Sequence, residues 1–318
     1  MKHKNRSTQS ILLYLAVPAL CAAQVPTAPP TISNPEPPRP NVLIESNEPK
    51  YVAPNTLDRI GRIWAPVKIN GKGPFRLVLD TSANSSAIIP SVADRLGIPP
   101  QSSNKVKLIG VTGSAVVETV TVNSIEVGEL DFGGGMLPVV ADVFGGAEGV
   151  LGPKSFADKR IYIDFHKDLI QISKSSGKAL EEGFTRVPVS LDRHQLLSFE
   201  IRVGGVKTKA ILSTGGQRTI GNASLRDALL KKAQEGKEEN IVGVTLDVAQ
   251  GQSIAVPPIT VGNISFRNVH ITFAEPYIFE QWKLTREPAM LIGMDIIGSL
   301  DSFVIDYRMK EVDLRTHR

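Results

Sequence analysis

Three blocks of this chain recur in the same order about 133 residues apart, and that doubling restricts the fold more than any other feature. "DTSANSSAIIPSVADRLG" begins at 80 and "STGGQRTIGNASLRDALL" at 213, so Thr81 matches Thr214, Asp94 matches Asp227 and Leu96 matches Leu229. "VGELDF" (127–132) returns as "VGNISF" (261–266). "GVLGPKSFADKRIYIDF" (149–165) returns, with a small drift, as "AMLIGMDIIGSLDSFVIDY" (289–307). Such a chain folds as two similar lobes, expected at 59–175 and 184–318 and joined by the polar stretch "KSSGKALEEG" (174–183).

Within each lobe, short apolar runs alternate with Gly, Asn and Pro turns, which is the pattern of an all-β fold with few short helices. "INGKGPF" and "RVGGVKT" read as hairpin turns. The strands that follow, "RLVLD" and "KAILS", are continuously apolar towards their ends, as buried strands are. A tight loop then leads into a short helix, with Ser91 and Asn222 as the expected N-caps. A later strand ends in Val150-Leu151-Gly152 in one lobe and Leu291-Ile292-Gly293 in the other.

The loop after the buried strand carries the chemistry. It is Asp80-Thr81-Ser82-Ala83 in the first lobe and Ser213-Thr214-Gly215-Gly216 in the second. Together with the two hydrophobic-hydrophobic-Gly strands and the closing "IDF" and "IDY" strands, this pattern resembles the retropepsin-like aspartic proteases over both lobes. The resemblance implies two tandem retropepsin-like β-barrel lobes with a peptide cleft between them. In such enzymes two aspartates face each other about 3 Å apart and share one proton, one serving as base and the other as acid. Asp80 then maps onto a catalytic aspartate, Thr81 and Thr214 onto the threonines that buttress the loops, and Ser82, Ala83, Gly215 and Gly216 onto the small positions. Family members commonly carry glycine where Ser82 stands. The resemblance further implies a hairpin flap over the cleft; "IGVTGSA" matches it, with Gly110, Val111, Thr112 and Gly113 at the tip, and "VGVTLDV" (242–248) is its second-lobe counterpart.

The second lobe departs at the decisive position, because Ser213 replaces the aspartate. A hydroxyl lacks carboxyl acidity and cannot take the acid role. Loss of one acid–base partner lowers a rate by roughly 10²–10⁴-fold. The expected activity is endopeptidase hydrolysis by a water that Asp80 activates. The alternative is a pseudoprotease that binds peptide without cutting it. A homodimer joining two Asp80 loops is a further route to a complete dyad, but the Ser213 loop of the same chain has the higher effective concentration.

Other function classes find little support. The net charge is +4, with no basic stripe interleaved with aromatics, which argues against nucleic acid as a partner. A polypeptide substrate or ligand is the expected partner, with no cofactor and no metal. The histidines at 3, 166, 194, 270 and 317 lack paired ligand spacing, and Cys21 is the only cysteine. "SSNK" (102–105) fits a serine–lysine motif by letters only, in what reads as a polar loop. Asp164 and Asp306 match each other in the closing strands and read as structural.

The start reads as an export signal over 1–23: Lys2, His3, Lys4 and Arg6 precede the ten-residue apolar run "ILLYLAVPAL" and the small residues "CAA". A proline-rich linker is expected over 24–58, where extended polyproline geometry is favoured. The expected location is periplasmic or secreted, with tethering through the N-terminus as the variant.

Overall fold

The computed structural model describes residues 50–54, 56–57, 61–167, 169–177, 182–191, 196–230 and 236–316. The export signal, Cys21 and most of the linker lie outside the described residues. The linker's expected end at residue 58 is corrected: Lys50–Pro54 is a strand paired antiparallel with Leu169–Lys174, and Thr56–Leu57 pairs with Ile63–Ile69. Lys50–Pro54 lies at a sheet edge, where a proline without an N–H is tolerated.

The fold is all-β with short helices, in two lobes of one design. In the first, Ile63–Ile69 and Lys72–Leu79 form a hairpin, and Gly149–Leu151 adds parallel to Lys72–Leu79. In the second, Leu197–Val203 and Val206–Leu212 form the hairpin, and Ala289–Ile292 adds parallel to Val206–Leu212. A short strand closes each unit antiparallel to the inserted one: Ala87–Ile88 in the first lobe, Ile220–Gly221 in the second. The inserted strands are covered on both faces, so "GVL" and "AMLI" are buried throughout and show no alternation.

The helix Pro90–Leu96 begins two residues earlier than a Ser91 cap requires. Its N-cap is Ile89, and Pro90 takes the first helical position, where a missing N–H costs nothing. Asn222 does cap Ala223–Leu229, its side chain accepting from Leu225 N at 2.8 Å. The "SSNK" stretch belongs to the strand Gln101–Ile109 and not to a loop.

A six-stranded sheet joins the lobes, with Lys159–Asp164 of the first paired antiparallel with Ser302–Asp306 of the second. Tyr162 pairs with Val304, its own counterpart in the repeat, so a local twofold axis passes between them. Asp164 and Asp306 act alike: each carboxylate accepts the N–H three residues on, from Lys167 and Met309 at 2.8 and 2.9 Å, closing equivalent turns.

In the same sheet Asp313 and Glu311 share Arg186 Nε at 3.3 and 3.2 Å. Burial pushes the Asp313 carboxyl up, and the Arg186 bond and charge only partly offset it. Burial, then the Asp313 charge, pushes Glu311 up as well. The folded chain therefore holds these protons more tightly than the unfolded chain does. Their contribution to stability is fully present below the ordinary carboxylate range and is lost as pH rises through the raised folded values. Asp313→Asn should raise the urea midpoint at pH about 7 and change it little at pH about 3, where both forms of wild type are protonated. An unchanged difference between those two pH values would contradict the assignment.

Candidate active site

The axis that relates the lobes also relates their two loops, and the contacts repeat almost atom for atom. Thr81 Oγ1 donates to Leu212 O at 2.7 Å, and Thr214 Oγ1 donates to Leu79 O at 2.6 Å. Thr81 N donates to Thr214 Oγ1 at 3.1 Å, and Thr214 N donates to Thr81 Oγ1 at 3.2 Å. Each threonine hydroxyl thus reaches under the opposite loop and holds it by one bond given and one received. Both threonines are buried, so neither hydroxyl can exchange these partners for water.

The strand ends hold the loops from the other side. Asp80 N donates to Leu151 O at 3.1 Å, and Ser213 N to Ile292 O at 3.0 Å. Gly152 and Gly293 must be glycines, since an added Cβ would lie 2.7 Å from Ser85 C and 2.6 Å from Arg218 C. Asp80 and Ser213 consequently face each other at the axis. Ser82 donates to Asp80 Oδ1 twice, from N at 2.8 Å and from Oγ at 2.7 Å. Ser82 Oγ also lies 2.9 Å from Ser213 Oγ. A hydroxyl has one proton, and that of Ser82 goes to the carboxylate, so Ser213 donates to Ser82. The result is a chain Ser213 to Ser82 to Asp80.

The aspartyl protease family model matches residues 65–154 and 199–296, more than half of the chain and once per lobe. The chain belongs to the aspartyl protease family. Basic 7S globulin from soybean is similar in structure, with 10% identity and a TM-score of 0.47 over 85% of this chain and 95% of that one. No curated protein sequence matches the chain.

In this member of the aspartyl protease family a cavity of about 280 Å³ opens over the two loops, with Asp80, Ser82 and Ser213 on its floor. Leu108, Val140, Val143 and Phe144 line one end, and Ile220, Ile241, Ile278 and Trp282 the other. Gly110, Val111, Thr112 and Gly113 do form a hairpin tip, between Gln101–Ile109 and Ser114–Val122, closed by Gly110 N donating to Gly113 O at 2.9 Å. Val111 O accepts from Ile278 N of the second lobe at 3.0 Å, which ties this flap across the cleft. The second lobe has a flap too, Lys237–Val242 with Val248–Ala255. The tips touch: a Cβ on Gly110 would lie 3.2 Å from Val244 and Thr245, and one on Gly243 would lie 2.4 Å from Thr112 Oγ1. The roof is therefore made by both lobes.

Sequence reasoning missed two residues of the cleft wall and one buried neighbour of Asp80. Arg62 lies buried in its wall, donating to Phe144 O at 2.6 Å with its guanidinium 5.7 Å from the Phe144 ring centre. Glu239 reaches the wall from the second flap and accepts from Thr272 Oγ1 at 2.6 Å. Tyr307 is wholly buried; burial first, then the Asp80 charge, pushes its phenol far up, so it stays neutral. No local sequence signal distinguishes these three from ordinary surface or core residues.

Removing one interlocking hydroxyl leaves a buried carbonyl and a buried N–H unpaired. Thr81→Val or Thr214→Val should each reduce the unfolding free energy by about 1–3 kcal/mol per orphaned group, read by urea denaturation. Losses within about 0.3 kcal/mol of zero would show that the interlock does not bind the lobes.

Proposed function

We propose that this chain is a slow aspartic-type endopeptidase that holds an extended polypeptide segment beneath its two flaps. The observation that carries this reading is the carboxylate of Asp80 on the cleft floor at the local axis, with Oδ2 unbonded by any described residue. A water beside Oδ2 gives up its proton to Asp80 as its oxygen attacks the peptide carbonyl carbon. The same proton then passes from Asp80 to the departing amine nitrogen as the C–N bond breaks. Every proton is accounted for without a second carboxyl group. What is missing is an acid to protonate the carbonyl oxygen during attack, since Ser213 offers a hydroxyl only. The rate should lie roughly 10²–10⁴-fold below that of a two-carboxylate site.

The reading as a non-cleaving peptide binder is favoured by one specific observation: the Ser213 hydroxyl stands where the second carboxylate is needed. Both readings place the polypeptide in the same cleft, whose apolar ends suit uncharged side chains. Export through residues 1–23 belongs with either, because a secreted or periplasmic protein of this class meets unfolded polypeptide outside the cytosol.

The experiment is cleavage of an unfolded protein at pH about 4–6 by wild type and by Asp80→Asn, with binding of a labelled apolar peptide followed in parallel. Slow cleavage by wild type, lost in Asp80→Asn with binding kept, is the expected result. Binding without cleavage in both proteins would leave the binder reading, and neither binding nor cleavage would remove both.

A further inference from the structure

The four threonine bonds repeat across the axis to within 0.1 Å (2.7 against 2.6 Å, 3.1 against 3.2 Å), so a contact measured on one side of the site predicts its partner on the other. Gly215 is the position two residues after Ser213, and Ser82 is the position two after Asp80. A Cβ on Gly215 would lie 2.2 Å from both Asp80 Cγ and Asp80 Oδ2. No real carbon sits that close, so a carboxylate held in the position of Asp80 requires glycine in the other loop; with a side chain there, the carboxylate would have to move away. The axis transfers this requirement to the second pair: a carboxylate at 213 requires glycine at 82.

The chain obeys the rule on both sides. Where Asp80 keeps its carboxylate, the opposite residue is Gly215. Where Ser213 has lost it, the opposite residue has a side chain, Ser82. From this pairing we infer that Ser82 and Ser213 are coupled replacements, and that Ser82 is a positioning residue which excludes a second carboxylate from the site. Its Cβ fills the volume that a residue-213 carboxylate would take. Its hydroxyl stands between the two sides, 2.7 Å from Asp80 Oδ1 and 2.9 Å from Ser213 Oγ. Ser82 therefore holds Asp80 with two hydrogen bonds while closing the route back to a dyad.

A test needs four proteins: wild type, Ser82→Gly, Ser213→Asp and the double variant Ser82→Gly/Ser213→Asp. Ser213→Asp alone should lower the melting temperature by several degrees or fail to fold, because its carboxylate meets the Ser82 Cβ. Adding Ser82→Gly should restore most of that loss, a non-additivity expected of side chains in direct contact. This stability comparison is independent of any catalysis. The activity arm rests on the proposed endopeptidase reading: the double variant should cleave unfolded protein roughly 10²–10⁴-fold faster than wild type, and with the bell-shaped pH profile of two coupled carboxyls. Ser213→Asp alone should show neither gain. A double variant that is rescued in stability but inactive supports the pairing and counts against the endopeptidase reading. The inference is overturned if Ser213→Asp is as stable as wild type, or if Ser82→Gly brings no rescue.

Discussion

Everything at the cleft depends on two buried threonine hydroxyls that cross between loops. Each of Thr81 and Thr214 accepts an N–H from the opposite loop and donates to a carbonyl at the end of the opposite strand. The bonds involve three groups per side that burial has already cut off from water, so breaking the interlock exposes several unpaired polar groups together. The loops consequently behave as one body, and Asp80 and Ser213 are held opposite each other although 133 residues of chain separate them. The six-stranded sheet beneath, paired through Tyr162 and Val304, sets the same axis from farther away. A dimer that joined two Asp80 loops would first have to break all four bonds.

The twofold design is kept in the framework and relaxed in the cleft. Framework positions tolerate little: an added carbon at Gly152 or Gly293 meets backbone at nearly the same distance in both lobes. Cleft positions diverge. Thr272 sits beside Ile220 as Val139 sits beside Ile88, yet Thr272 donates to Glu239, a side-chain pair that Val139 cannot form in the first lobe. The flaps diverge too, since the second tip contains Leu246 in a left-handed conformation, φ 65°, where the first has Gly113. A bound polypeptide would meet unlike walls on the two sides of the axis, although the scaffold under them is repeated.

Much of this was legible in the chain. The repeat located both loops, both flaps and both inserted strands, because the same local geometry demands the same residue types wherever it recurs. Asn222 was identifiable as a cap from its chemistry. The errors were also local in origin. Ser91 is a good capping residue by type, but Pro90 fits the first helical position better and moved the boundary. The strand Lys50–Pro54 was hidden in a proline-rich context, and only its pairing with Leu169–Lys174 makes it a strand.

The sequence by itself determined that there are two lobes of one kind, that one carries a carboxylate and the other a hydroxyl, and that small residues surround both. These are properties of types and spacing along the chain. Only the tertiary structure decided that Ser82 belongs to the Ser213 side of the site, that Gly215 belongs to Asp80, and that the flap tips touch. Those relations are contacts between atoms more than a hundred residues apart. They arise where the local axis brings loop against loop, and distance along the chain does not encode which neighbour lies across it.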